Sequence, residues 1–189
     1  GSLRIPLEEP TKKTITYPNK DYPTIQSAVD ALLPDGILLI EPGEYNESTT
    51  ITKKLKINLA REGEAVIKSG AVAFSLVGEA DLYLSGFSLS ENKGDGISLG
   101  KSAVANIENC KIAKNGGSGV RLTGTSKAVL TDCTILKSDD EGIRLENSSN
   151  LTVNGSKILN GDYVGVNLLN NAAITIRDSE VSGNKYEGF

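Results

Sequence analysis

The chain has no histidine, no methionine, no tryptophan and only two cysteines among its 189 residues. That leaves the inventory of soft metal ligands nearly empty, so a zinc, copper or iron-sulfur centre is not expected. No run reaches the roughly 18 consecutive apolar residues that a membrane-spanning helix needs. Positive charge is not in excess: 20 Lys and Arg stand against 24 Asp and Glu, a net charge of −4. With a pI near 5.0, this balance argues against a nucleic-acid-binding surface. From residue 82 onward the i, i+3, i+4, i+7 apolar stripe of an amphipathic helix is also missing.

What the chain does have is a strict interval. Gly96, Gly119, Gly142, Gly165 and Gly188 fall 23 residues apart, each followed by an aliphatic or aromatic residue. Apolar columns keep the same register: Leu84, Ile107, Leu130, Val153, Ile176; Leu89, Ile112, Ile135, Ile158, Val181; Ile97, Val120, Ile143, Val166, Phe189; and Leu99, Leu122, Leu145, Leu168. Within each unit the apolar residues come in pairs two apart, which is the spacing of strands that alternate inward and outward. A fixed interval of this length marks one structural unit stacked on copies of itself. Three short inward-facing strands per unit describe the coil of a parallel β-helix, with successive coils about 4.8 Å apart. Leucine-rich repeats have similar length, but their L-x-x-L-x-L-x-x-N core is absent. The composition, 38% hydrophobic, suits a narrow core of one side chain per column.

Two details of the repeat carry local expectations. The glycine column is read as a tight bend at positive φ before the third strand. Asn92, Asn115 and Asn184, with Ser138 and Gly161 on the intervening rungs, are read as a ladder of left-handed turn residues whose amides bond neighbouring backbone. Cys110 and Cys133 occupy adjacent rungs of an inward column with Phe87, Ser156 and Ser179. Two free buried thiols are expected there, with a disulfide between neighbouring rungs as the alternative.

The first third differs. Residues 1–20 read as an arm, with Gly1-Ser2 resembling an expression scar that leaves room for a removed leader, and with a short strand near Ile15-Thr16-Tyr17. Residues 21–35 read as a capping helix: Ile25, Ala28, Val29 and Leu32 share one face, Thr24 is the N-cap, and Pro34-Asp35-Gly36 ends it. An amphipathic helix across the open end of a solenoid shields core and unpaired strand edges. Residues 36–189 read as the β-helix, with irregular early coils. Phe189 stops in mid-coil, so the expectation is either further coils in the natural protein or self-association through the terminal rung.

Tyr22-Pro23-Thr24-Ile25-Gln26-Ser27-Ala28-Val29-Asp30-Ala31 followed by Ile40-Glu41-Pro42-Gly43-Glu44-Tyr45 resembles the start of pectin-lyase-like right-handed β-helix proteins. Ile107-Glu108-Asn109-Cys110-Lys111-Ile112 and Gly142-Ile143-Arg144-Leu145 are similar to the family's carbohydrate-acting segments. The resemblance covers residues 20–189. It implies an all-β fold: a right-handed, single-stranded parallel β-helix of about six to seven coils with an N-terminal capping helix. It also implies a saccharide as partner and an extracellular or cell-envelope location, without choosing among lyase, hydrolase, esterase and non-catalytic members.

Asp95 before Gly96 resembles the N-T-D-G carboxylate of the family's hydrolases, and Asp140 with Glu141 before Gly142 resembles its D-D pair. The G-H-G and R-x-K segments have no counterpart. Asp95 and Glu141 lie two rungs apart, about 9.6 Å along the axis, at the edge of the 6.5–9.5 Å or so of inverting glycosidases. Ser118 holds the rung between. A calcium-assisted lyase would draw on Asp139 and Asp162, one rung apart, with Asp140 and Glu141 beside them and Arg121 and Arg144 on the adjoining strand face. Tyr163 and Tyr186 share a column beside this turn, either as a sugar-facing platform or as a cross-rung packing pair. The leading expectation is a module that binds polysaccharide or serves as a scaffold without catalysis of its own. A divergent lyase or hydrolase acting on an acidic polysaccharide is the alternative. Sequons such as Asn147-Ser148-Ser149 carry no expectation of glycosylation.

Overall fold

The computed structural model describes residues 9–186. Gly1-Ser2, Gly188 and the terminal rung at Phe189 lie outside the described residues. The strands gather into three parallel sheets of eight, seven and six members around one core. A representative coil passes through strands Asp81–Ser85, Phe87–Ser90 and Ile97–Leu99 before Val104–Glu108 opens the next.

The 23-residue interval is the strand register itself. Leu84 pairs with Ile107, Ile107 with Leu130, Leu130 with Val153 and Val153 with Ile176. Ile97, Val120, Ile143 and Val166 climb the six-stranded sheet in the same way. These inward columns are almost fully buried as far as Val166, each large aliphatic side chain contributing about 1.5–3 kcal/mol. Earlier coils depart from the interval, pairing Lys54 with Asp81, Thr49 with Phe74 and Ala65 with Phe87. Cys110 and Cys133 are free and buried. Burial pushes their thiols up to about 12 and about 11.

The bends are built differently from the expectation. Three left-handed ladders run up the corners, each at 23-residue spacing: Gly86, Asn109, Asp132, Gly155, Asp178; Glu91, Lys114, Lys137, Asn160, Gly183; and Gly78, Lys101, Gly124, Asn147, Asn170. Gly96, Gly119 and Gly142 have ordinary φ and are glycine for a steric reason. A Cβ on Gly119 would lie 2.6 Å from Ile135 Cγ2 and 2.7 Å from the Gly142 carbonyl oxygen, and Gly96 and Gly142 are equally confined. The asparagine column sits one residue past its left-handed ladder and points inward instead. Asn92 and Asn115 are buried. The Asn92 backbone N–H and side-chain amide both donate to Asn115 Oδ1 at 3.0 Å, and Asn115 Nδ2 donates to the Leu89 carbonyl at 3.0 Å. Asn184 Oδ1 accepts from the Gly161 N–H at 2.9 Å. Where serine replaces asparagine the ladder breaks: Ser138 Oγ is buried with no hydrogen-bond partner among the described residues.

The cap is shorter than expected. The helix spans Ile25–Ala31, and strand Leu32–Ile40 starts before Pro34 rather than after it. Proline disfavours helical geometry at the preceding residue, so the chain leaves the helix by Leu32–Leu33. The register against strand Lys12–Tyr17 jumps from Leu32 to Ile37 across that bulge, with Asp35 at φ 65. Thr24 is the N-cap, in a reciprocal box with Ser27. The Gln26 side chain receives the Thr50 N–H at 2.8 Å and donates to the Thr50 carbonyl at 3.0 Å, so it occupies the open edge of the six-stranded sheet. Glu47 ties the arm to the helix, accepting from Tyr17 Oη and from the Ile25 N–H, both at 2.8 Å.

Candidate functional site

The outward face of the six-stranded sheet collects most of the singled-out residues. Strand alternation puts Ser75, Ser98, Arg121, Arg144 and Asn167 in one outward column at successive rungs. The turn preceding each of these strands brings Asp95, Ser118 and Glu141 to the same edge, again in register.

These groups form one polar network. Glu141 has a side chain only 2% exposed. Its Oε2 accepts from Ser118 Oγ at 3.0 Å, and its Oε1 accepts from Arg144 Nη1 and from Asn167 Nδ2, each at 2.9 Å. Arg144 Nε and Nη2 donate to Glu146 Oε1 at 3.1 and 2.9 Å. Arg121 reaches the other oxygen of Glu146 from the rung below, at 3.3 and 3.0 Å. The two arginines, one rung apart, are thus held together by a shared carboxylate. Ser118 also donates its backbone N–H to Asp95 Oδ1 at 2.8 Å. The space between Asp95 and Glu141 is therefore bridged by a serine.

The electrostatics separate the acids. Burial alone would raise Glu141, but hydrogen bonds from Asn167 and Ser118 outweigh it and hold the carboxyl below the usual range. Glu146 is likewise lowered: burial opposes, and Arg144 and Arg121 prevail. Asp140 is raised, by partial burial and then by the neighbouring Glu141. Asp95 is raised as well, chiefly by burial, although the Ser118 N–H and Arg121 pull the other way. Asp140 is exposed at the turn, and Asp95 is half-buried.

Beside Asp95 the face is dished. Leu76, Val77, Ser98, Leu99, Gly100, Arg121 and Thr123 surround a depression of about 320 Å3 that includes Asp95 in its wall. Val77 there is 39% exposed.

The remaining candidates stand apart. Asp139 and Asp162 are exposed at successive rungs of the turn. Among the described residues no three His, Cys, Asp or Glu side chains converge to hold a metal. Two carboxyl groups offer four oxygens at most, so water would have to supply the rest of the six to eight that calcium takes. Tyr163 and Tyr186 meet at 5.5 Å between ring centroids in an edge-on arrangement of 68°, both exposed, with Lys185 Nζ 5.9 Å from the Tyr186 centroid. That is a packed pair rather than a coplanar platform.

The sequence places Asp95 with Asp140 and Glu141 in one candidate set and Arg121 and Arg144 with Glu141, Asp139 and Asp162 in another. The structure joins Asp95, Glu141, Arg121 and Arg144 in one network and adds Glu146, Asn167, Ser98, Thr123 and Val77, which the sequence did not single out. The signal for Asn167 and Ser98 was present, since both share the arginines' column. Glu146 lies two residues beyond Arg144 and so projects to the same side of the chain.

A family model described as "right handed beta helix region" matches residues 57–189. Among solved structures the chain is similar to a pectin methylesterase mutant in complex with a hexasaccharide, at 14% identity and a TM-score of 0.45, over 89% of this chain and 67% of that one. It is also similar to ORF18 of Geobacillus virus E2, at 10% identity and a TM-score of 0.45, over 91% of this chain and 60% of that one. No curated protein sequence matches. No helix among the described residues is long and apolar enough to cross a membrane.

Proposed function

The chain belongs to the right-handed β-helix family, and from that premise we propose that it is a non-catalytic module that binds polysaccharide along the outward face of its six-stranded sheet. One observation carries this reading: Glu141, the acid that would complete a catalytic pair, is committed to the fold. Its side chain is 2% exposed and its two oxygens already serve Ser118, Arg144 and Asn167. An acid/base pair needs two carboxyls with opposed pKa shifts, both able to reach substrate. Here the opposed pair is Asp140 and Glu141, and one member is out of reach. The two more accessible acids, Asp95 and Asp140, are shifted in the same direction, so they do not form an opposed pair. Binding groups remain: the Asp95–Arg121 depression, and the exposed Tyr163–Tyr186 pair further along. An extracellular or envelope location belongs to this proposal, because that is where such a surface meets polysaccharide; fractionation of cells expressing the natural gene tests it.

The test of the main reading is incubation with a panel of polysaccharides, following reducing ends and the absorbance of unsaturated products. The reading predicts no product. Turnover that Asp140→Asn abolishes would replace it with the second reading, a divergent lyase or hydrolase, which the raised pKa of Asp140 at an exposed turn favours. A calcium titration separates the versions of that alternative: the lyase version requires a thermal shift at millimolar calcium that Asp139→Asn removes.

A further inference from the structure

We infer that the depression beside Asp95 is a subsite for a neutral sugar ring bearing adjacent free hydroxyls, and that it discriminates against uronates and other acidic sugars. The inference rests on the binding reading above and names the ligand class of that same face.

Its volume, about 320 Å3, lies at the small end of ligand pockets, which run from about 300 to 1,000 Å3, so it accepts a ring or two of a chain rather than a large headgroup. Its polar groups are incompletely used. Asp95 spends Oδ1 on the Ser118 N–H, while Oδ2 has no donor among the described residues. Arg121 spends Nε and Nη2 on Glu146, while Nη1 makes no hydrogen bond among the described residues and the side chain is 43% exposed. A free carboxylate oxygen accepts from one hydroxyl of a diol while a guanidinium N–H donates to the next. Ser98 and Thr123 add hydroxyls to the wall, and Thr123 Oγ1 bonds the Leu99 carbonyl only at 3.4 Å. Val77 in the same wall is 39% exposed and offers an apolar side chain to the C–H face of a pyranose, whereas Leu76 and Leu99 turn their side chains into the core. This pairing of a few polar groups with an apolar wall is the usual make-up of a small-molecule site.

Charge decides the class. The network around the depression holds three carboxyls, Asp95, Glu141 and Glu146, against two guanidiniums, Arg121 and Arg144. Arg144 is saturated by Glu141 and Glu146, and Arg121 already shares Glu146. A uronate carboxylate seated here would meet an excess of like charge with only one partly committed cation to pair with. A neutral ring meets no such penalty, because like-charge juxtaposition is how a site rejects a competing partner.

The experiment is binding to an array of immobilised neutral polysaccharides (galactans, glucans, mannans, xylans) alongside polygalacturonate and alginate, read for the wild type, Arg121→Ala, Asp95→Asn and Val77→Asp. Val77 is exposed and outside the network, so its variant keeps the fold while blocking the apolar wall. Circular dichroism checks the other two. The inference predicts that a neutral polymer is retained, that each variant weakens retention at least tenfold, and that the acidic polymers bind at least tenfold more weakly than the neutral one. Tighter binding of the acidic polymers overturns the neutral-sugar inference and leaves the polysaccharide-binding reading standing. Retention of a neutral polymer unaffected by all three variants overturns the subsite and points the reading to another face. No retention of any polymer overturns both.

Discussion

A methyl group added at Gly119 has nowhere to go: Ile135 Cγ2 and the Gly142 carbonyl lie within 2.7 Å of where it would sit. Gly119→Ala therefore overpacks the wall between coils, and we predict a loss of about 1–3 kcal/mol in urea denaturation. Gly70 is the internal control, with open space around it and no positive φ. Gly70→Ala should be neutral or stabilising by about 0.4–1 kcal/mol, through the entropy of the unfolded chain. If both alanines behave alike, the steric account of the glycine column fails. Glu141→Ala removes a buried carboxylate with three donors and strands Ser118 and Asn167. Because Arg144 is 28% exposed and can turn to water, the expected cost is about 2–4 kcal/mol, below the loss for a fully buried pair. A variant as stable as the wild type would show that Glu141 is not spent on the fold. The glycines were conspicuous in sequence, but their cause was not. A glycine required for lack of room and one required for positive φ look the same in a string, and only the distances separate them.

At the scale of an element, the turn after the second strand is stapled by asparagine on the rungs of Asn92, Asn115 and Asn184. Asn115→Ala should cost about 1–3 kcal/mol by unpairing the buried Asn92 amide. Ser138→Asn should do the reverse, because the position holds a buried hydroxyl with no partner among the described residues where an amide would continue the ladder. Thermal melts of the two variants should move in opposite directions; a lower melting temperature for Ser138→Asn contradicts this view of the break. The asparagine column and its hydrogen-bonding role were legible from spacing. Its backbone conformation was misread because the left-handed residue stands one place earlier, as Glu91, Lys114, Lys137 or Asn160, residue types that advertise no such geometry except the last. The capping helix was legible at its start, where Thr24 is a strong signal, and not at its end. There Pro34 acted on the residues before it, and the strand took Leu32 and Leu33.

For the whole molecule, the fold was written in the 23-residue register and the chemistry was not, because core columns repeat while the outward face does not. Ser98, Arg121, Arg144 and Asn167 share a column in which only arginine recurs, so the register aligns them but only the distances show which of them bond to Glu141 and Glu146. The pH dependence is likewise a property of the assembled core. Cys110 at about 12, Cys133 at about 11 and Tyr17 at about 12 stand above the values of the unfolded chain, near 9.0 and 10.0. Raised folded values mean that the unfolded chain releases its protons first. Their contribution is therefore complete below pH 9 and is lost as pH rises through 9 to 12. Urea midpoints should be flat from pH 7 to 8.5 and fall steeply above 9, and a midpoint unchanged at pH 11 would contradict the buried placement of these groups. On the acid side the shifts oppose one another, with Glu141 and Glu146 lowered and Asp95 and Asp140 raised, so the decline there should be shallower.

The most direct test of a binding face without chemistry is the length of a polysaccharide before and after it meets the protein. Size-exclusion chromatography with light scattering, run on the protein mixed with a neutral polymer that it retains, reports both association and chain length. The account predicts co-elution with the polymer's mass undiminished after prolonged incubation. A polymer that shortens over time, or one that never co-elutes, contradicts it.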